Sequence, residues 1–544
     1  MKRPIAYLAA LCLLLCCMLS GCGDDGSGRG FRFPLDAEPR QLDPQVATDN
    51  ASVTLVAALF EGLTRLDETG KAVAGAADWT VSPDGLTYTF TLRESYWSTL
   101  SIRGEETPWD VPVAVSAYDF VFGMQRAVDP ATGSAAAAQF YDIRNAKEVH
   151  KGRLPVTELG VKAVSHDVLT ISLTTPDPHF PALLATAPFM PCNEEFFRYT
   201  AGQYGLEEDY LLTNGPFRLE AWNHGESLLL YKHEDYHAAD AVSPAAVRYL
   251  IAPTDTAVAL QEGKLDAATL LLEELDAAEQ AGVQTVKLED RIRSVYFNTA
   301  TPPLSNVSLR QALRSSIEWK TIYTYLQEAG EPSATGYVAP AAVLPNGKTY
   351  RQAAAAMTFA TDVEQARIAL GKALKALYPE ATSPSLPRLT VLAAEDEVSA
   401  NLARYLIQSW QKHLKIYADL ELVSESALPA RLESGRYQIA IYTTAANGLT
   451  GAENLQSYTT DSNGNLSKFS SSAVDAAAAR ASVGGQAELV ALEKLLAEQC
   501  PTLPLSFPAR YYGIGAACKD ITVRPFGGGA YGAAVDFRQA KKWD

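Results

Sequence analysis

Residues 389–423 read LTVLAAEDEVSANLARYLIQSWQKHLKIYADLELV. In the middle, from Glu397 to Leu414, Val398, Leu402, Leu406 and Trp410 recur every four residues. One stripe of a helix is therefore buried. Leu389–Leu392 and Ala418–Val423 flank it as strands. Strand, helix and strand in that order form a βαβ-like unit. The rest of the chain alternates in the same way. Leu86, Tyr88, Phe90 and Leu92 share one face of a period-two run to Arg93, with Thr and Arg on the other. That is a half-buried strand. Val168–Leu173 and Ser227–Lys232 read as strands too. Thr361-Asp362-Val363-Glu364 is a capping-box pattern for a helix toward Leu377. Further helices are expected from Ser308 to Leu326 and from Glu488 to Cys500, the second ended by Pro501. The fold class is mixed α/β. A chain of 544 residues exceeds one core, so two or three domains are expected. No internal repeat is visible.

The N-terminus locates the protein. Lys2 and Arg3 precede an apolar run from Ile5 to Met18. This is the layout of a secretion signal, and the run is shorter than the about 20 apolar residues of a spanning helix. The closing Leu19-Ser20-Gly21-Cys22 resembles the lipobox of bacterial lipoproteins. That resemblance implies cleavage before Cys22 and acylation of its thiol. An ordinary signal with a chance cysteine is the other reading, and both put the mature chain outside the cytoplasm. Residues 23–30 hold no apolar side chain and read as a flexible tether.

The formal charge of −17, with no basic run, argues against nucleic acid as a partner. The cysteines left after cleavage are Cys22, Cys192, Cys500 and Cys518. With Cys22 acylated, at least one of the others is unpaired. Cys500 and Cys518 are close enough in sequence to bridge, and geometry decides whether they do. No CxxC supports a redox thiol pair or a structural zinc.

Two motifs look enzymatic. His233-Glu234-Asp235-Tyr236-His237 fits HExxH, the pattern of a zinc peptidase. That chemistry needs both imidazoles on one helix face, with Glu234 as base. Here the motif follows the strand-like run Leu228–Lys232, and a turn is the simpler expectation. Gly527-Gly528-Gly529-Ala530-Tyr531-Gly532 fits GxGxxG, but too little chain follows for a βαβ unit. No GxSxG, P-loop or Ser/His/Asp set is present. No cofactor, metal or catalytic residue is expected.

A series of blocks in a fixed order carries a resemblance. They are Glu38–Pro44, Leu59–Leu63, Trp79–Arg93, Ala117–Val121, Arg126–Pro130 and Leu159–Ala163. Thr213–Phe217, Trp222, Gly263–Asp266, Tyr296–Asn298, Leu309–Leu313 and Pro501–Leu505 follow. Together they are similar to extracytoplasmic solute-binding proteins of the peptide/nickel type, the oligopeptide-binding lipoproteins that feed ABC importers. The resemblance implies a two-lobed, periplasmic-binding-protein-like clamp with an additional inserted domain. Lobe one would take residues 31–61, 191–290 and 505–544, the inserted domain 62–190, and lobe two 291–504. Such a clamp closes on its solute by hinge motion and docks on a membrane permease. It would work as a lipid-anchored monomer, with peptides as the default solute and a non-peptide solute as the alternative.

The ligand site departs from the pattern. Peptide binders of this kind carry W-x-A-D, whose aspartate pairs with the peptide ammonium, because a buried ammonium needs a counter-charge. The matching loop here is Thr444-Ala445-Ala446-Asn447, after the strand Ile439–Tyr442. Thr444 replaces the tryptophan and the uncharged Asn447 the aspartate. Glu453 and Asp49 are rival counter-ions. Thr48, Asp49 and Asn50 are expected to line the cleft. An extended peptide can also add to exposed strand edges, expected at Tyr296-Phe297-Asn298 and at Asn214-Gly215, with Tyr442 nearby.

Overall fold

A computed structural model describes residues 30–542 apart from 68–70, 101–106, 179, 345–347, 447–449, 461, 463 and 526–533. Cys22 with its leader and tether, Asn447 and the Gly527–Gly532 run lie outside the described residues.

The chain opens with β1 (Phe31–Leu35) and α1 (Asn50–Leu59). It then builds a separate four-stranded sheet from β2 (Ala77–Val81), β3 (Thr87–Leu92), β4 (Val161–Ala163) and β5 (Val168–Ser172), in the order β2-β3-β5-β4. Between its two halves runs α2 (Ala117–Val128). The alternation read at Leu86–Leu92 holds where it matters, with Tyr88 and Phe90 buried. The chain returns to β1 through β6 (Phe217–Asn223), β7 (Ser227–Lys232) and β8 (Ala246–Ile251), giving a sheet ordered β1-β8-β7-β6. The strands β9 (Ala267–Leu270) and β10 (Gln284–Leu288) follow.

The second lobe starts at β11 (Arg291–Phe297). The helix expected over Ser308–Leu326 is two helices, α3 (Val307–Ser315) and α4 (Trp319–Glu328). The break has a cause. The Glu318 and Trp319 N–H groups donate to Ser409 Oγ and Thr361 Oγ1, at 3.1 Å each, where a continuous helix would use its own carbonyls. Next comes α5 (Val363–Leu377), capped by Asp362 through the Gln365 N–H; the neighbouring Thr361 donates to Ile317 instead. The 389–423 stretch then folds as β12 (Leu389–Ala394), α6 (Glu397–Leu414) and β13 (Ala418–Val423). Leu402, Leu406 and Trp410 are fully buried, and Val398 at the first turn is only half-buried. Next are β14 (Ile439–Ala445), α7 (Gln486–Gln499), β15 (Thr502–Ser506) and, back in lobe one, β16 (Arg510–Ile514). Lobe two has the sheet order β13-β12-β14-β11-β15, and β16 lies between β9 and β10. The strand β15 reaches Ser506, which faces Arg293.

One apolar core joins lobe one to the β2–β5 region, from Phe33 and Leu55 to Phe90, Phe120 and Ile171. Lobe two has its own core around Val295, Leu406 and Trp410. Cys192 and Cys518 belong to the first core and Cys500 to the second. All three are free buried thiols, so the Cys500–Cys518 bridge that their spacing permits is not formed. Among the described residues, no helix is long and apolar enough to cross a membrane.

Candidate functional site

Open α/β sheets place ligands beyond the carboxyl ends of their parallel strands. In lobe two, β12, β13 and β14 are parallel and end at Ala394, Val423 and Ala445. Antiparallel β11 starts at that same end, with Arg291 opposite Ala445. In lobe one, β1 and β8 are parallel and end at Leu35 and Ile251. The chain crosses between lobes beside these ends, at 289–290 and 507–509. The Ala446 N–H donates to the Asp290 carbonyl at 2.8 Å and Ala341 to the Glu289 carbonyl at 3.0 Å. The buried Asp290 carboxylate is held by Arg510, whose Nε is 3.2 Å away. On the lobe-one side Asp36 comes close to Tyr512. Burial, then Asp36, raises the Tyr512 phenol pKa.

The lobe-one candidates divide. Thr48 is exposed. Asp49 is the N-cap of α1, accepting from Ser52 N at 2.9 Å and Ser52 Oγ at 2.7 Å. Both its oxygens take part in the cap. Asn50 donates to Asp36 at 2.9 Å, while its Oδ1 is buried without a partner. A buried acceptor left in that state wants an N–H. Asn214 and Gly215 do another job. Asn214 accepts from the Glu61 N–H at 3.1 Å and donates to the Glu61 carbonyl at 2.9 Å. Gly215 donates to Leu59, and a Cβ there would lie 2.7 Å from the Leu59–Phe60 backbone. They lock the end of α1 and offer no strand edge.

In lobe two the expected edge at Tyr296–Asn298 is also closed. The strand β11 is paired on both sides, by β14 and β15. Tyr296 and Phe297 are core residues; Asn298 is buried and donates to the Gly435 and Tyr437 carbonyls, at 2.9 Å each. The outer edge of β15 is covered as well, since Ala334 N donates to Leu505 and Phe507 N to Pro332. The open edge belongs to β14. Its ladder with β12 stops at Ala440, and among the described residues no strand pairs with the side away from β11 at Thr443 and Ala445. Ala446 N points at β11. By the alternation of antiparallel strands, Thr443 and Ala445 therefore turn their peptide groups to the vacant side. Thr444 sits between them with Oγ1 3.1 Å from Tyr296 Oη. Glu453 closes a capping box on Thr450, its Oε2 2.7 Å from Thr450 N. Sequence reasoning misses Thr443 and Arg291. Their signals are one residue's change of strand register and the lack of a partner, and neither can be read from residue type.

The HExxH residues form no ligand set. They lie in a turn after β7. His233 Nδ1 donates to the Gly215 carbonyl at 3.0 Å, and burial lowers its pKa. His237 is paired with the buried Glu61, which also accepts from Tyr236 Oη at 2.5 Å. Glu234 is exposed, near Lys232. Among the described residues no three His, Cys, Asp or Glu converge on a metal position. A groove of about 740 Å³ lies elsewhere, along α4, lined by Trp319, Tyr323, Gln327 and Phe359. Its lining also includes Glu331, which is bonded to Arg293 of β11.

Comparison with known proteins gives consistent matches. Residues 74–465 match the family described as bacterial extracellular solute-binding proteins, family 5 Middle. The chain is 29% identical over 455 residues to the oligopeptide-binding protein OppA of Bacillus subtilis (strain 168), covering 79% of this chain and 80% of that one. It is 28% identical over 500 residues to the dipeptide-binding protein of Lactococcus lactis subsp. cremoris (strain MG1363), covering 87% of each. Its structure resembles the substrate-binding domain of an oligopeptide ABC transporter from Bacillus anthracis str. Ames. The TM-score is 0.74 at 25% identity, over 95% of this chain and 99% of that one.

Proposed function

The chain belongs to family 5 of the bacterial extracellular solute-binding proteins, and from that premise we propose that it captures oligopeptides between its lobes for an ABC importer. The observation that carries this reading is the edge of β14 at Thr443 and Ala445, with which no described strand pairs. An extended peptide satisfies such an edge by adding a strand, so main-chain hydrogen bonds give affinity whatever the side chains. Across the cleft, the unpartnered Asn50 Oδ1 is ready to accept a further peptide N–H. The sheets support residues 31–61, 191–290 and 507–544 as lobe one, 62–190 as the insertion and 291–506 as lobe two. Cys22 would carry the lipid that holds the chain beside its permease.

Thermal unfolding of the purified protein tests the solute class. A ligand at 100 times its dissociation constant stabilises by about 2.7 kcal/mol. Tetra-alanine, or its N-acyl forms, should raise the transition, and maltotetraose and nickel–histidine should not. A rise with only the non-peptide solutes would leave the family standing and remove the peptide. For the anchor, Cys22→Ala should move the protein from the membrane to the soluble fraction. Retention in the membrane would argue against thiol acylation.

A further inference from the structure

Arg291 opens β11 at the ligand-facing end of lobe two, directly across from Ala445. Residues opposite each other on antiparallel strands have Cβ atoms within about 5.5 Å. The methyl of Ala445 leaves that side of the pair open. Arg291 is half-buried. Among the described residues its guanidinium has no hydrogen bond and no ion pair. Burial, followed by the proximity of Arg510, pushes its pKa down, and the group stays charged. Asp290, itself bonded to Arg510, and then Glu425, on the surface after β13, attract Arg291 through space without forming an ion pair. Asp36 stands on the other lobe with Asn50.

A half-buried cation without a partner, beside a vacant strand edge, is placed to meet an anion brought by the solute. We propose that Arg291 selects peptides that present a carboxylate at the end laid along Thr443–Ala445, and disfavours a positively charged amino terminus there. This rests on the peptide-capture reading above. An arginine can grip a carboxylate with two parallel N–H···O bonds, and an ammonium in the same place would meet a like charge.

The test uses tetra-alanine in three forms, with a free amino terminus, N-acetylated and N-succinylated. The succinyl group adds a carboxylate where the acetyl group ends in a methyl. Calorimetry on the purified protein should show the succinyl form bound at least tenfold more tightly than the acetyl form, which is about 1.4 kcal/mol. The free form should be the weakest. In Arg291→Gln the succinyl and acetyl forms should bind equally. In Arg291→Lys part of the preference should return. The wild-type preference should also shrink as salt is raised. Equal binding of the acetyl and succinyl forms in the wild type overturns the proposal, as does a preference that survives Arg291→Gln. If the free form binds best, a carboxylate such as Asp36 or Glu425 governs the site; the proposal fails and the peptide reading stands. If none of the three binds, the peptide reading itself fails.

Discussion

Arg291 and Arg293 lie two residues apart on one face of one strand, about 7 Å along it, yet they live in different electrostatic worlds. Arg293 is saturated. Its guanidinium meets Glu331 at 2.7 and 3.1 Å and Ser399 Oγ at 2.6 Å, with Asp396 at 4.0 Å. Glu331 in turn accepts from Ser506 at 2.5 Å, which ties β11, β15 and the start of α6 into one network. Among the described residues Arg291 has no such partner. Residue type and strand position are the same, so partners decide the role. A charge whose desolvation is offset inside the protein holds the fold. One whose desolvation is not offset has been left for something that arrives from outside.

The comparison breaks first where the effect is largest. Arg293→Met should cost about 3–5 kcal/mol, because it strands Glu331 in a largely buried position. Urea unfolding followed on lobe-two tryptophans would measure this. In the double variant Arg293→Met with Glu331→Leu most of the loss should return, since two apolar groups can replace a buried pair. A loss under about 1 kcal/mol in the single variant would mean that burial does not set the value of these pairs.

Asp49→Ala comes next, at about 1 kcal/mol, the usual worth of an N-cap. The same variant should leave the affinity for tetra-alanine unchanged, because the carboxylate is turned to Ser52 as the helix cap. A loss of peptide affinity with no loss of stability would reinstate Asp49 as a counter-ion.

The βαβ stretch at 389–423 was legible because period and burial coincide: Leu402, Leu406 and Trp410 repeat every four residues and all are fully buried. The break between α3 and α4 was not, since it depends on Ser409 and Thr361, far along the chain. The site divides along the same line. Thr444 and Ala445 read as a loop after a strand ending at Tyr442, but they are the last two residues of β14, because pairing with Ile292 and Arg291 extends the ladder. Asn214, Gly215 and Tyr296–Asn298 look like available polar edges in sequence, and only tertiary pairing shows them consumed. Arg291 is the converse. An Arg-Ile-Arg strand start reads as ordinary alternation, and its significance is the absence of a partner, which no sequence pattern encodes.

His224 separates pairing from burial. Its ring nitrogens lie 3.0 Å from Glu207 and 2.9 Å from Glu38, but the side chain is half-exposed. The hydrogen bonds to Glu207 and then Glu38 raise its pKa. A raised imidazole pKa gives stability that is complete below the ordinary value near 6.5 and is lost as pH rises through the folded value. Exposure and salt hold the amount to a few tenths of a kcal/mol. The wild type should therefore unfold slightly above His224→Gln at pH 5.5 and level with it at pH 8.5. A gap that does not change with pH would assign the difference to packing.

The smallest expected effect on folding is at Arg291. Arg291→Met removes a charge that forms no hydrogen bond or ion pair with the described residues and leaves an apolar stem of similar length. Nothing in the fold loses a hydrogen bond by it. Surface and half-buried substitutions of this kind stay within about 0.5 kcal/mol, and any shift here should be a gain, because a desolvation cost is relieved. Equilibrium unfolding beside Arg293→Met in the same buffer gives the contrast directly. A loss above about 1 kcal/mol at Arg291 would show that the free protein does use this guanidinium. The two arginines would then be alike, and the case for an acidic solute would lose the asymmetry on which it stands.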